Sequence, residues 1–182
     1  MANESFAQIL MTGEHRNSLG RAAEIVETVL DDRSRLGELF ECVFDDDAWV
    51  RMRAIDSFEK IVKDNPEWAK PYITRIFGEL TKSDQPSIQW HLAQIFTEVE
   101  LTLKQQQHAI DWLKDKLKNV EVDWIVSGDA MKALLYFYSK DSVGAAELEA
   151  LFKIQEGHKS KAIRTKASKL LQELDKAENL RR

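Results

Sequence analysis

The chain has 182 residues, is 43% hydrophobic and 31% charged, and carries a net charge of −5. That composition belongs to a folded chain with a sizeable core and weighs against disorder. No apolar run approaches the roughly 20 residues that span a bilayer, and the acidic balance argues against a general nucleic-acid binder.

The N-terminal stretch "MANESFAQILMTGEHRN" has acid before its short apolar run and no basic segment, so it does not read as a secretory signal. A first helix is expected at about residues 3–12. The next, in "NSLGRAAEIVETVL", puts Ala22, Val26 and Val29 on one face. Then comes "LGELFECVF" with the single cysteine, Cys42, in an apolar helical context. One cysteine rules out an internal disulfide, reads as a packed thiol and suits a reducing, cytoplasmic compartment.

From there the chain repeats every 37 to 38 residues. In the second helix of each pair, Ala54, Leu92, Ala130 and Ala167 mark the centre. Four residues earlier stand Val50, Ile88, Val126 and Ile163. Four later stand Phe58, Phe96, Leu134 and Leu171, and seven later Ile61, Val99, Phe137 and Leu174. Steps of 4, 4 and 3 put all of them on one helical face. The first helices keep the same register, with Leu36, Ile73, Ile110 and Leu148 followed by Leu39, Ile76, Leu113 and Leu151. Phe40, Phe77 and Phe152 come next, and Lys114 breaks that row. Asp47, Asp84 and Asp123 are expected N-caps. Pro66 and Pro86 suit helix starts, and Pro71 either starts or kinks its helix. The expected organisation is one domain over residues 1–182, with helix pairs at about 3–31, 33–64, 67–101, 103–140 and 142–178 and no strand.

The segment "DDDAWVRMRAIDSFEKI", residues 45–61, resembles the second-helix half of a HEAT repeat through Asp45, Val50, Arg51, Ala54 and Phe58. Gln89 and Ser127 replace the arginine in the next two units, and Arg164 restores it. The resemblance covers most of residues 14–178. It implies an all-α fold, an α-α superhelix (a right-handed solenoid) of about five HEAT-like helix pairs. It implies second helices along the concave face and an Asp–Arg ladder between neighbouring repeats. It implies no particular activity, because such arrays mostly serve as scaffolds.

No catalytic constellation stands out. His15, His91, His108 and His158 lie far apart, without zinc-motif spacing. The run Asp45-Asp46-Asp47 lacks the alternating ligands and glycine of a calcium loop and reads as helix capping. The 7 glycines are scattered and cradle no phosphate, and no nucleophile elbow or Cys–His signature is present. The chain is therefore expected not to be an enzyme, with no catalytic residue, metal, cofactor or small-molecule substrate.

The period also separates core from remainder. Counting 100° per residue from the central small residue, offsets −5, −2, −1, +2, +5 and +6 should face solvent on the concave side. They select Trp49, Met52, Arg53, Asp56 and Glu59, then Trp90, His91, Gln94 and Glu98. They go on to Ile125, Asp129, Lys132, Leu135 and Tyr136, then Lys166 and Lys169, with Arg21 and Glu24 in the first unit. Large apolar side chains on an arc expected to be polar mark a contact surface or an extension of the core. The candidate partner-binding set is Trp49, Met52, Arg53, Trp90, His91, Lys132, Tyr136 and Lys166. Trp68 and Trp124, at helix starts, read as local packing residues. Trp112 is either exposed or buried by rotation of its helix, and Lys114 favours rotation.

These features predict a non-catalytic scaffold or adaptor that takes a peptide or partner protein on its concave face, with no membrane. The alternative is a nucleic-acid protein similar to the HEAT-like alkyl-base DNA glycosylases, with tryptophan beside Arg53, Lys166 and Lys169. A third is a regulatory subunit that docks through its end. Residues 151–182 hold 9 Lys/Arg against 4 Asp/Glu, a net of +5, which leaves 17 against 27, a net of −10, over residues 1–150. That basic end is either a docking site or a polar capping repeat.

Overall fold

A computed structural model describes residues 4–13 and 18–181. Among the described residues there are helices and no strand. The ten α-helices are α1 (Phe6–Met11), α2 (Ala22–Asp31), α3 (Leu36–Glu41), α4 (Ala48–Asp64) and α5 (Ile73–Gly78), followed by α6 (Pro86–Glu98), α7 (Leu103–Leu117), α8 (Trp124–Ser139), α9 (Ala145–Gln155) and α10 (Lys161–Arg181). Short 3-10 segments fill Arg33–Arg35, Cys42–Phe44, Pro66–Tyr72 and Leu80–Lys82.

Local chemistry sets the helix ends. Asp47 accepts from the backbone N–H groups of Trp49 and Val50, and Asp123 accepts from that of Ile125. Ser5 and Thr102 close capping boxes with Gln8 and Gln105. Asp84 stands too early for its expected role: α6 starts at Pro86, and the carbonyl of Gln85 takes the first helical hydrogen bonds, from Ile88 and Gln89. Pro71 lies inside the 3-10 segment, and α5 begins two residues later. After α8, Asp141 adopts φ 56° while its N–H and that of Ser142 donate to Tyr138 and Phe137. This is a Schellman turn with aspartate at the position that favours glycine.

The chain divides into two compact units. The first takes residues 1–91 and 98–100, the second residues 92–97 and 101–182, so α6 contributes to both. In the first, α4 is the hub, with α1, α2 and α3 against it. Its core gathers Leu36, Leu39, Phe40, Val50, Ala54, Phe58, Ile61, Ile73, Ile76 and Ile88, all buried. Phe40, Phe58 and Tyr72 pack ring on ring at 4.5–5.6 Å between centroids. Helix α2 departs from the template: Ala22, Ile25 and Val29 are its buried residues, and Val26 is half-buried.

In the second unit α7 packs on α8 and α9, and α10 on α8 and α9. Its core holds Ile110, Leu113, Val126, Ala130, Leu134, Phe137, Leu148, Leu151, Phe152, Ile163, Ala167 and Leu174. Leu171 is the exception on this frame: it is half-buried and lines a cavity of about 400 Å³ with Ala146, Lys153 and Leu174. Lys114, the break in the phenylalanine row, is also half-buried and pairs with Glu147 at 2.7 Å. Trp112 is half-buried, edge-on to Phe96 at 5.7 Å and under Lys116, while Ile110 and Leu113 of the same helix stay buried.

The residue after the β-branched position has a repeated task. Arg51 donates to the carbonyls of Asp45 and Asp46, six and five residues earlier. Arg164 donates to those of His158 and Lys159, at the same separations. Gln89 donates to that of Ser83, six residues back. Ser127 is too short for the reach. There Gln155 supplies the donors instead, to the carbonyls of Leu117 and Asn119, while Ser127 donates to Gln155 Oε1. Each side chain satisfies loop carbonyls that burial would leave orphaned. Arg51 also donates from Nε to Gln85 at 2.7 Å, a link of the first unit that joins two helix pairs.

Candidate functional site

The first unit carries a polar strip on α4 and α6. Its α4 residues are Arg53, Asp56, Glu59, Lys60 and Lys63, spaced by about one turn, and its α6 residues are Trp90, His91 and Glu98. Most of it is covered: Arg53, Asp56, Ser57, Glu59 and His91 are all buried.

Arg53 and His91 are corrections to the expected solvent-facing set. The arc of a single helix takes no account of what folds over it. Arg53 is 3% exposed because α1 packs on α4, and its guanidinium donates to the carbonyls of Leu10 and Ser18. Gly13 makes room for it: a Cβ there would stand 2.4 Å from Nη2. Arg53 thus holds the N-terminal segment. His91 is 1% exposed, with its ring stacked on Trp90 at 3.7 Å between centroids.

Burial gives these groups unusual protonation. Desolvation, with the charge of Lys60 behind it, pushes His91 down to about 3, so the ring is neutral. Its Nε2 stands 3.8 Å from Asp56 Oδ1, beyond hydrogen-bond distance, and neither ring nitrogen has a hydrogen-bond partner. Asp56 accepts instead from Lys60 Nζ at 2.6 Å. Glu59 and Glu98 face each other. Burial raises both, and the repulsion and hydrogen bond of Glu59 help push Glu98 up to about 7. Two carboxylates hydrogen-bond to each other only when one is protonated, and Glu98 Oε2 is buried without a hydrogen-bond partner. Protonation of Glu98 relieves both its burial and its repulsion from Glu59.

The remaining predicted residues fall into two groups. In the first unit Trp49, Met52 and Trp90 are half-buried. In the second, Lys132 and Tyr136 are exposed and Lys166 is half-buried. Lys132 pairs with Asp129 at 3.3 Å, and Lys140 stands over the Tyr136 ring at 5.6 Å. Lys166 Nζ lies against Gly128, 2.8 Å from where a Cβ would sit, and burial lowers its pKa, as does the charge of Lys132. Trp124 is a further correction: it is 53% exposed. Trp68 is half-buried, under the guanidinium of Arg33 at 5.1 Å.

The selected set omitted Asp56, Glu59 and Glu98, although the solvent arc contained them. The signal was the acidic spacing Asp56–Glu59 on α4 facing Glu98 on α6, on an arc whose burial no single-helix count reveals. Of the histidines, His15 lies outside the described residues, and His108 is exposed. His158 is structural: Ser160 N–H donates to Nδ1 at 2.9 Å, so Nε2 carries the proton and donates to the Val122 carbonyl. Cys42 is buried, donates to the Glu38 carbonyl and is pushed up to about 11 by burial and by Asp45, Glu38 and Glu41. A thiol held this far from ionisation is a poor nucleophile. Among the described residues no group of three His, Cys, Asp or Glu could hold a metal ion, and no helix is long and apolar enough to cross a membrane. Comparison with family models, with curated proteins and with solved structures finds no match.

Proposed function

We propose that the chain is a non-catalytic interaction scaffold, a HEAT-like right-handed superhelix that takes a partner protein or peptide on its second helices. The observation that carries this reading is Trp90. Its indole is partly open while it stacks on a buried, neutral histidine. A rigid aromatic on a desolvated polar floor is the pattern of an interface anchor. Tyr136, exposed on α8, is a second such anchor. The contact residues of this reading are Trp49, Met52 and Trp90 in the first unit, with Arg53 and His91 buried beside them, and separately Lys132, Tyr136 and Lys166 in the second.

The test is affinity capture with the full chain and its Trp90→Ala variant. The reading expects the variant to lose its partner while circular dichroism and melting stay unchanged. Retained capture by a Trp90→Ala/Tyr136→Ala double variant sinks this placement. The nucleic-acid alternative has Lys132, Lys166 and Lys169 in its favour, and the carboxylates of α4 and α6, which repel phosphate, against it. Fluorescence anisotropy with duplex DNA at low salt decides: binding there favours that alternative over the scaffold.

A further inference from the structure

The second unit holds a cavity of about 400 Å³ between α9 and the C-terminal half of α10. Three departures from the repeat build it. Three residues before Leu36, Ile73 and Ile110 the earlier first helices carry long side chains, Arg33, Lys70 and Gln107, whereas Ala145 stands three before Leu148. Helix α10 has 21 residues, where α4, α6 and α8 have 17, 13 and 16. All four begin at the same place in the repeat, so the extra length of α10 lies at its C-terminal end, and it carries Glu178. Leu171 is the third departure: Phe58, Phe96 and Leu134 are buried at its position, and it opens onto the cavity.

The lining is apolar in part, with Leu171 and Leu174 from α10 and Ala145 and Ala146 from α9. Its charges are uneven. On α9, Lys153 pairs with Glu149 at 2.5 Å and the two neutralise each other. On α10, neither Asp175 nor Glu178 has a basic partner within ion-pair distance among the described residues. Glu178 is also held in place, because it accepts from the hydroxyl of Tyr138, a buried residue of α8. Three carboxylates thus stand against one ammonium around the cavity. A concave lining of apolar side chains with a few placed polar groups, at roughly 300–1,000 Å³, is the make-up of a small-molecule site.

We propose that this cavity binds a small organic cation, an ammonium or guanidinium on an apolar body, with the body against Leu171 and Leu174 and the charge on Asp175 and Glu178. Leaving water is favourable for the apolar body, and a charge-assisted hydrogen bond to carboxylate replaces the hydration that the cation loses. Tyr138 orients Glu178 before the ligand arrives, so less ordering is left for binding to supply. Asp175 is exposed and guards the mouth. An anion of the same shape meets two uncompensated carboxylates and is repelled. The site lies apart from the residues of the scaffold reading and does not depend on it.

The test is an NMR titration of the full isotope-labelled chain with phenethylammonium, with phenylpropionate, an anion of similar shape, as control. Phenethylammonium should shift the amides of residues 145–153 and 171–178 and saturate with a Kd of about 1 mM or tighter. Phenylpropionate should not saturate. Glu178→Gln should weaken binding by about tenfold or more. Ala145→Leu, which fills the cavity and leaves both carboxylates in place, should abolish it. Glu27→Gln, on the exposed face of α2, should bind as the parent does. Equal binding of the two probes, or an affinity that neither Glu178→Gln nor Ala145→Leu alters, overturns the proposal. A blocked glycine–arginine–glycine peptide that binds more tightly than phenethylammonium overturns it too, in favour of an arginine side chain of a partner protein. If Ala145→Leu fails to fold, Glu178→Gln and the anion control decide.

Discussion

Arg53 shows how one side chain can set the order of a whole segment. Its guanidinium is nearly fully buried and donates to the backbone carbonyls of Leu10 and Ser18 among its partners. Removal leaves both acceptors without their charged donor in a covered site. Each unsatisfied group costs about 1–3 kcal/mol, so Arg53→Ala should lower stability by about 3–5 kcal/mol in urea unfolding. Amide hydrogen exchange in α1 should quicken more than in α4. Arg53→Lys, which keeps the charge but cannot fork, should recover less than half of the loss. An unchanged urea midpoint in Arg53→Ala would show that the carbonyls find water and that the arginine is dispensable.

At the scale of the element, helix ends and helix faces make separate predictions. Asp141 occupies the left-handed position of the turn after α8, where a Cβ is strained and glycine is not. Asp141→Gly should stabilise by up to about 1 kcal/mol, read as a higher melting temperature. Leu134 and Leu171 hold the same repeat position on α8 and α10. Leu134 is fully buried and Leu171 opens onto a cavity. Leu134→Ala should therefore cost about 2–5 kcal/mol, and Leu171→Ala less than half as much. Equal losses would mean that the cavity closes around Leu171 in solution. The same comparison shows what could be read from the sequence. The apolar ladders were legible because spacing of 4, 4 and 3 needs nothing beyond one helix, and nearly every member is buried. Arg53, His91 and Glu59 were not, because their burial comes from α1 and from side chains on neighbouring helices. A wheel drawn for α4 alone sees a polar arc. The fold adds a cover, and with it the orphaned imidazole and the carboxyl pair that burial pushes up.

At the scale of the whole molecule the buried titratable groups shape stability against pH in opposite directions. His91 is lowered from 6.5 to about 3, so the unfolded chain binds the extra proton between those values. Stability from this group is full above 6.5 and falls as pH drops toward 3. Glu98 is raised from 4.5 to about 7, so here the folded chain holds the extra proton. Its contribution is full below 4.5 and falls as pH rises to 7. Each slope is at most about 1.4 kcal/mol per pH unit, the limit for one proton. Urea unfolding from pH 3.5 to 8 should show both limbs. His91→Gln should flatten the acid limb and leave the other, and Glu98→Gln should do the reverse. A profile that neither substitution alters would place the titrating groups elsewhere.

The packed thiol of Cys42 has a practical consequence for such experiments. It is the single cysteine of the chain, it lies in the first unit, and burial keeps both water and reagent from it. A disulfide reagent can then react only during moments when the segment after α3 comes open. The labelling rate is thus a clock for those openings, running in the native protein with no added probe. In Arg53→Ala the clock should run faster at the same reagent concentration, and it should stop tracking reagent concentration once opening becomes the slow step.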